Sequence, residues 1–101
     1  MARIELAPQV ASDIERILDH LARHQSSDPA ARVRDIIAAI DVLERNPLIG
    51  RALPGDLREL VIGQGSHGYV ALYRYAERLD IVFVLAIRAQ REAGYFSQLP
   101  N

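Results

Sequence analysis

Cysteine, tryptophan and lysine are among the residue types that this chain of 101 residues lacks. Without cysteine the chain has no disulfide, no thiol nucleophile and no cysteine ligand for zinc. Without lysine, all 12 strongly basic residues are arginines. A guanidinium stays protonated at any working pH, so it binds phosphates and carboxylates but does not transfer protons. Thiol chemistry and lysine-based acid–base chemistry are therefore excluded.

A strong net charge and long hydrophobic runs are also missing. The formal net charge is −1 at pH 7, so we expect neither a broad basic surface for nucleic acid nor sequence-specific DNA binding by this chain alone. No apolar stretch approaches the roughly 20 residues that cross a bilayer, and the N-terminus lacks the apolar run of a signal peptide. The sequence thus predicts a cytoplasmic protein without membrane contacts, folded as one domain over residues 1–101.

The first half of the chain predicts two helices. Apolar residues recur at helical spacing from Val10 to Leu21, and the charged residues between them, such as Asp13, are assigned to the solvent side. Asp28-Pro29 then provides a helix N-cap followed by proline at the first helical position. The second helix is expected to end before Pro47. Since the connection is short, the two helices form an antiparallel hairpin.

The remaining segments have the composition of strands. Arg3 to Leu6 alternates polar and apolar residues, and Leu57–Ile62, Tyr69–Ala76 and Leu79–Ile87 are rich in branched and aromatic residues. The predicted fold class is α+β. A short N-terminal strand precedes the helical hairpin, which packs on a C-terminal antiparallel sheet of three to four strands.

The last predicted strand is apolar on both faces, and it is therefore expected to be the central one. Its residues divide into two alternating sets. A helical hairpin covers one face of a sheet, so the second set is expected to stay exposed unless a partner covers it. The first set is Ile81, Phe83, Leu85 and Ile87, and the second is Val82, Val84 and Ala86.

Four segments together resemble the RelE/ParE toxin superfamily, also called plasmid-stabilisation proteins, over nearly the whole chain. They are Asn46–Arg51 (NPLIGR), Leu57–Leu60 (LREL), Gly68–Tyr75 (GYVALYRY) and Val84–Glu92 (VLAIRAQRE). The resemblance implies one of two activities. The RelE branch cleaves messenger RNA on the ribosome, and the ParE branch poisons DNA gyrase and so arrests growth.

The residues match the nuclease branch poorly. That branch uses lysines and arginines on the sheet and a tyrosine near the C-terminus, whereas this chain has no lysine and carries Val70 where that branch has an arginine after Gly-Tyr. The LREL strand and the arginine-rich end of the last strand are closer to the ParE branch, which is not enzymatic. An inert relative that keeps only the antitoxin-binding scaffold is a third alternative. If the chain were a nuclease, its catalytic residues would be Arg88, Arg91, His67 and Tyr95.

The resemblance also implies a cognate antitoxin of the ribbon-helix-helix type, similar to ParD. Its C-terminal segment would lie across the helices and the exposed sheet face. No cofactor or metal is expected. The residues expected to contact the target are Arg58, Arg88, Arg91 and Tyr95. The residues expected to bind the antitoxin are Val82, Val84, Ala86, Ile14 and Ile17.

Several of these side chains have a structural interpretation as well. Arg58, next to Glu59, is a candidate for an ion pair that holds the sheet to the helical hairpin, and Arg51 is a candidate for a contact with a helix C-terminus. The stripe of Tyr69, Tyr73 and Tyr75 is typical of core packing. His20 and His24 have a spacing that can hold a metal, but no neighbouring carboxylate motif completes a site. A solvated helix face explains that pair more simply.

Overall fold

The structure is a computed structural model, and it describes residues 1–24, 28–63 and 68–90. Two helices and five strands confirm the α+β class and the position of every predicted element. Three of those elements have shifted ends: the first helix starts at Pro8, the second helix ends at Asp41, and the last strand spans two residues later than predicted. The elements are β1 (Arg3–Leu6), α1 (Pro8–Arg23), α2 (Pro29–Asp41), a 3-10 turn (Val42–Glu44), β2 (Arg51–Leu53), β3 (Leu57–Ile62), β4 (Tyr69–Ala76) and β5 (Ile81–Ala89).

Proline and aspartate start the helices. Pro8 and Pro29 occupy first-turn positions, where the missing N–H costs nothing. The Asp28 carboxylate accepts a hydrogen bond from the backbone N–H of Ala31 at 3.0 Å, as expected of an N-cap. α2 ends earlier than predicted, because the chain tightens into the 3-10 turn before reaching Pro47. None of the described helices is long and apolar enough to cross a membrane.

The five strands form one sheet in the order β1-β5-β4-β3-β2. β1 runs parallel to β5, and the other neighbours are antiparallel. The middle strand is thus β4, and the prediction that the last strand is central is wrong. The reason is β2, a three-residue strand that was not predicted from the sequence. It pairs with β3 and adds a strand at that edge, which shifts the middle of the sheet to β4. β5 is still an interior strand, with β1 on one side and β4 on the other.

One irregular residue in β5 decides which side chains face the helices. Leu72 pairs with Ala86, but the next residue, Tyr73, pairs with Val84, which leaves Leu85 without an opposite residue. Such a bulge reverses the alternation of side chains along a strand. As a result Val82, Val84 and Ile87 all lie on the helix side of the sheet with no exposed surface. The prediction that Val82 and Val84 lie on the open face is therefore wrong.

The core lies between the two helices and one face of the sheet. Tyr69 and Tyr73 are buried in it and Tyr75 packs against its edge, so the predicted core role of the tyrosine stripe is confirmed. The opposite face of the sheet carries half-buried residues, including Leu72, Phe83 and Ala86. The fully buried hydrophobic side chains are Ile36, Leu43, Ala71, Tyr73, Val82, Val84 and Ile87.

Candidate functional site

A buried carboxylate lies at the end of β5 with four hydrogen-bond donors around it. Oδ1 of Asp13 is 2.9 Å from Nε2 of Gln9, 3.0 Å from Nη1 of Arg16 and 2.5 Å from Nη1 of Arg88. Oδ2 accepts the backbone N–H of Ile87 at 2.8 Å. Three of the four donors thus converge on Oδ1 and one reaches Oδ2. We call this set the Asp13 cluster.

The topology of the sheet explains why the cluster forms there. β1 pairs with β5 only as far as Leu6 opposite Val84, and the last hydrogen bond along that edge runs from Ala7 N to Val84 O at 2.9 Å. Beyond this point the chain turns into α1, so the backbone groups of Ile87 have no strand beside them. The Asp13 carboxylate accepts the Ile87 N–H. The two cluster arginines donate to the Ile87 carbonyl at 3.4 and 3.0 Å.

The hydrogen bonds keep Asp13 charged although its side chain has no exposed surface. Burial by itself raises the pKa of a carboxyl group, because it disfavours the charged form. The hydrogen bonds from Gln9, Ile87, Arg16 and Arg88 act in the opposite direction, and together they lower the pKa of Asp13 below its ordinary value of 3.8. Asp13 is therefore a permanent anion at neutral pH. It holds the guanidinium groups of Arg16 and Arg88, whose side chains are 44% and 27% exposed respectively.

Arg88 was predicted from the sequence as a site residue, but Asp13, which holds it, was not. Asp13 was assigned to the solvent side of α1, whereas it is buried with Val10, Ile17 and Leu21. The spacing contained the signal, because Asp13 follows Val10 by three positions and precedes Ile17 by four, which places it in the buried stripe. An acidic residue in such a stripe needs donors from another element. The sequence did not show that β5 would supply them.

A second set of buried polar contacts lies near β2 and β3. The Tyr73 hydroxyl, with no exposed surface, accepts the backbone N–H of Gly50 at 2.8 Å. Arg58 donates from Nη1 to the carbonyls of Leu48 at 3.1 Å and Gly50 at 2.8 Å. We call this set the Tyr73 corner. Arg58 thus ties down the connection before β2, and the expected ion pair between the sheet and the helices is not its role here.

The other residues weighed as structural lie as follows. Arg51 pairs with Glu59 across β2 and β3, so its partner is a strand carboxylate and not a helix end. Exposed His20 and His24 stack with ring centroids 4.1 Å apart. Within residues 1–24, 28–63 and 68–90, no three His, Asp or Glu side chains gather as a metal site would require.

An apolar groove of about 510 Å³ lies between β1, α1 and α2. Leu6 and Ile37 stand at its mouth, with 55% and 47% of their surfaces exposed. The carboxylates of Asp41 and Glu44 lie at its acidic end. The groove is lined by Ala2, Arg3, Ile4, Leu6, Val10, Ile14, Ile37, Ile40, Asp41 and Glu44.

The predicted antitoxin-binding residues fall into two groups, those with some exposed surface and those buried in the core. Ile14 lines the groove and Ala86 is half-buried on the open sheet face. Ile17, Val82 and Val84 are core residues with almost no surface to offer a partner. The two valines are buried because the bulge at Leu85 leaves them on the helix side of the sheet. Ile17 is buried because it lies on the side of α1 that packs on the sheet.

The structure also divides the predicted target-binding residues. Arg88 belongs to the Asp13 cluster and Arg58 to the Tyr73 corner, so the two arginines take part in separate sets of contacts. Three further candidates, His67, Arg91 and Tyr95, lie outside the described residues. Their predicted roles remain predictions.

Comparisons with known proteins agree on the class of fold. The structure matches that of a chromosomal ParDE toxin–antitoxin system from P. aeruginosa with a TM-score of 0.71, at 20% identity, covering 88% of this chain and 96% of that one. It matches the E. coli RelBE toxin–antitoxin complex with a TM-score of 0.59, at 17% identity and the same coverage. The chain thus shares the fold of these two structures, a helical hairpin on one face of a five-stranded sheet.

Sequence comparison narrows the class to a family. Residues 4–94 match the model of the family described as the ParE toxin of type II toxin–antitoxin systems, parDE. A relative named Toxin RelE3, from Caulobacter vibrioides, is 28% identical over 92 residues, which are 91% of this chain and 98% of that protein. The chain belongs to the ParE toxin family of type II toxin–antitoxin systems, as the resemblance predicted.

Proposed function

We propose that this toxin acts in the cytoplasm as a non-catalytic inhibitor of DNA gyrase, and that a cognate antitoxin neutralises it. On this proposal the toxin binds gyrase through the surface at the end of β5, traps the enzyme with broken DNA and blocks replication. The family match over residues 4–94 is the observation that carries the proposal. The contacts of Arg88 and the nature of position 70 support it.

The described contacts of Arg88 suit binding better than catalysis. Its Nη1 atom already bonds the Asp13 carboxylate and the Ile87 carbonyl. General acid–base chemistry needs a group that gains and loses a proton near neutral pH, and a guanidinium does not, so the only role open to Arg88 in a nuclease is to stabilise phosphate charge. Opposite Arg88, β4 places Val70, an apolar residue where the resemblance to the nuclease branch calls for an arginine. A fixed cation beside an apolar strand is suited to recognising a protein surface.

The apolar groove supports the proposal of an antitoxin partner. Leu6, Ile14 and Ile37 offer an apolar lining to an amphipathic segment that carries apolar residues at helical spacing. Asp41 and Glu44 favour a basic residue at the matching end of that segment. A ribbon-helix-helix antitoxin with such a C-terminal segment would meet both requirements. The known structures of similar fold from P. aeruginosa and E. coli are described as toxin–antitoxin systems or complexes.

A supercoiling assay tests the proposed target. Purified gyrase acts on relaxed plasmid in the presence of increasing toxin, and both supercoiled product and linear, protein-linked DNA are measured. We expect wild-type toxin to inhibit supercoiling and to accumulate cleaved DNA. Arg88→Ala should weaken inhibition. Arg78→Ala, which removes an exposed arginine in the β4–β5 turn, should inhibit as the wild type does.

The alternative target is the ribosome, and the name of the 28% identical relative, Toxin RelE3, favours testing it. If folded toxin leaves gyrase fully active, the gyrase proposal is wrong. Transcripts are then mapped in cells after induction, and cleavage at ribosome-bound codons would identify a nuclease. Harmless induction without an antitoxin would instead identify an inert relative.

A further inference from the structure

We propose that Asp13 is a positioning residue of this toxin: it holds Arg88 in the orientation in which Arg88 contacts the target. The inference rests on the proposed function, because it takes the end of β5 as the inhibitory surface. It gives a buried residue of α1 a role in shaping that surface, distinct from packing. Asp13 itself has no exposed surface, so its influence on a partner has to pass through the side chains that it holds.

The geometry fixes the whole guanidinium of Arg88. A single atom, Nη1, lies 2.5 Å from Oδ1 of Asp13 and 3.0 Å from the carbonyl oxygen of Ile87. A guanidinium is planar, so two contacts at one nitrogen restrict the plane of the group and the directions of its other N–H bonds. The side chain remains 27% exposed. Binding by such an arginine loses less rotamer entropy than binding by a mobile one.

Asp13 is held as firmly as the arginine that it orients. Its other oxygen accepts the Ile87 N–H, from a residue 74 positions away in sequence, and Gln9 and Arg16 bond Oδ1. The carboxylate therefore has little freedom to follow a moving arginine. Arg88 points from the open side of the sheet around the uncovered edge of β5 to reach it, since its strand partner Val70 lies on that open side. This edge is free for the contact because β1 has already ended.

A double-mutant cycle separates this role from a contribution to folding. The variants are Asp13→Asn, Arg88→Ala and the combination, and each is assayed for gyrase inhibition, for growth arrest on induction in cells and for Tm. Asparagine keeps the size of the side chain and an acceptor for Ile87 while removing the charge. Ile36→Ala changes a fully buried core residue of α2, a helix that supplies no member of the cluster, and lowers Tm without altering Asp13 or Arg88.

We expect Asp13→Asn to raise the toxin concentration needed for half-inhibition about tenfold. In the Arg88→Ala background the same substitution should change inhibition no further, although it still lowers Tm. Ile36→Ala should lower Tm and inhibit as the wild type does at temperatures where it is folded. Arg88→Lys is the second test, needed if Asp13→Asn fails to fold. An ammonium defines no plane, so this variant should also lose about tenfold.

Several results would overturn the inference while leaving the proposed function intact: unchanged inhibition by Asp13→Asn, an equal loss in both backgrounds, or full inhibition by Arg88→Lys. Growth arrest without any gyrase inhibition would overturn the proposed target. The same cycle read out as growth arrest then decides the role of Asp13, because that readout requires no knowledge of the target. A folded wild type that neither inhibits gyrase nor arrests growth would overturn both.

Discussion

The two buried polar sites of this toxin differ in charge and in access to solvent. The Asp13 cluster buries a carboxylate and balances it with arginines that stay partly exposed. The Tyr73 corner buries a neutral hydroxyl with one backbone N–H. A charged group costs far more to bury than a neutral hydroxyl, so it needs more hydrogen bonds around it. The cluster therefore presents charge at the surface, and the corner fixes the chain before β2.

The largest effect is expected from removing the buried charge. Asp13→Ala leaves two arginines and the Ile87 N–H without their shared acceptor, and breaking a buried ion pair from one side costs about 3–5 kcal/mol. Urea unfolding followed by circular dichroism measures the change. A cost below about 1 kcal/mol would show that solvent replaces the carboxylate, and the cluster would then resemble a surface ion pair.

The next largest effect tests how tightly the Tyr73 corner is closed. A Cβ at Gly50 would lie 2.6 Å from the Tyr73 ring and 2.9 Å from the backbone oxygen of Glu59. Both neighbours are buried, so neither moves cheaply. We expect Gly50→Ala to cost about 1–3 kcal/mol through overpacking. The check is the midpoint of denaturant unfolding, and an unchanged midpoint would show that this corner is loosely packed.

Removing the hydroxyl alone should cost less than filling the space beside it. Tyr73→Phe leaves the N–H of Gly50 buried without its partner, which costs about 1–2 kcal/mol. The matched control is Tyr75→Phe, whose hydroxyl bonds Asp80 at an exposed site and should matter little. Thermal unfolding of both variants gives the comparison. Equal losses for the two tyrosines would contradict the distinction between buried and exposed hydroxyls.

A smaller effect is expected from one arm of the Asp13 cluster. Arg16→Ala removes one of the two arginines, and that side chain is 44% exposed. Exposed partners of an ion pair contribute about 0.2–1 kcal/mol, and Arg88 still balances Asp13. Denaturant unfolding of Arg16→Ala beside Arg88→Ala measures the difference. A larger loss from Arg16→Ala than from Arg88→Ala would assign the main counter-ion role to Arg16.

The Asp13 cluster should lose its contribution to stability at low pH and the Tyr73 corner at high pH. The free energy of unfolding should change least between about pH 5 and 8. The lowered pKa of Asp13 means that its contribution is present above the ordinary value of 3.8 and is lost as pH falls through the lower folded value. Burial raises the pKa of Tyr73, so its contribution fades as pH rises above the ordinary value of 10.0. Both losses are measured as the free energy of unfolding against pH for wild type, Asp13→Asn and Tyr73→Phe. If Asp13→Asn still loses stability at low pH as the wild type does, the acid sensitivity comes from other carboxylates.

Local patterns predicted most of the elements correctly. The ends of β3 and β4 follow from runs of branched and aromatic residues, and the start of α2 follows from Asp28 and Pro29. These signals act over a few neighbouring residues, so the sequence displays them directly. β2 has only three residues and no such signal, because its place depends on pairing with β3.

The sites depended on contacts that the sequence does not display. Arg88 was predicted to be a surface cation. Its ion-pair partner Asp13 lies 75 positions earlier in the chain, and the sequence pattern placed Asp13 on the solvent side of the first helix. The bulge at Leu85 is equally invisible in an apolar run, where every residue suits either face. Because of this bulge, Val82 and Val84 lie buried on the same face as Ile87 and not on the open face as expected.

The sequence by itself determined the α+β class, the helical hairpin, the resemblance to the superfamily and the absence of thiol chemistry from this chain. Composition and short-range spacing specify these features, because they depend on propensities and on burial of one stripe per element. Only the tertiary structure decided which face of β5 is covered, where β1 ends and which carboxylate meets Arg88. Those outcomes follow from strand register and from the need to satisfy backbone groups at a sheet edge, and both join residues far apart in the chain.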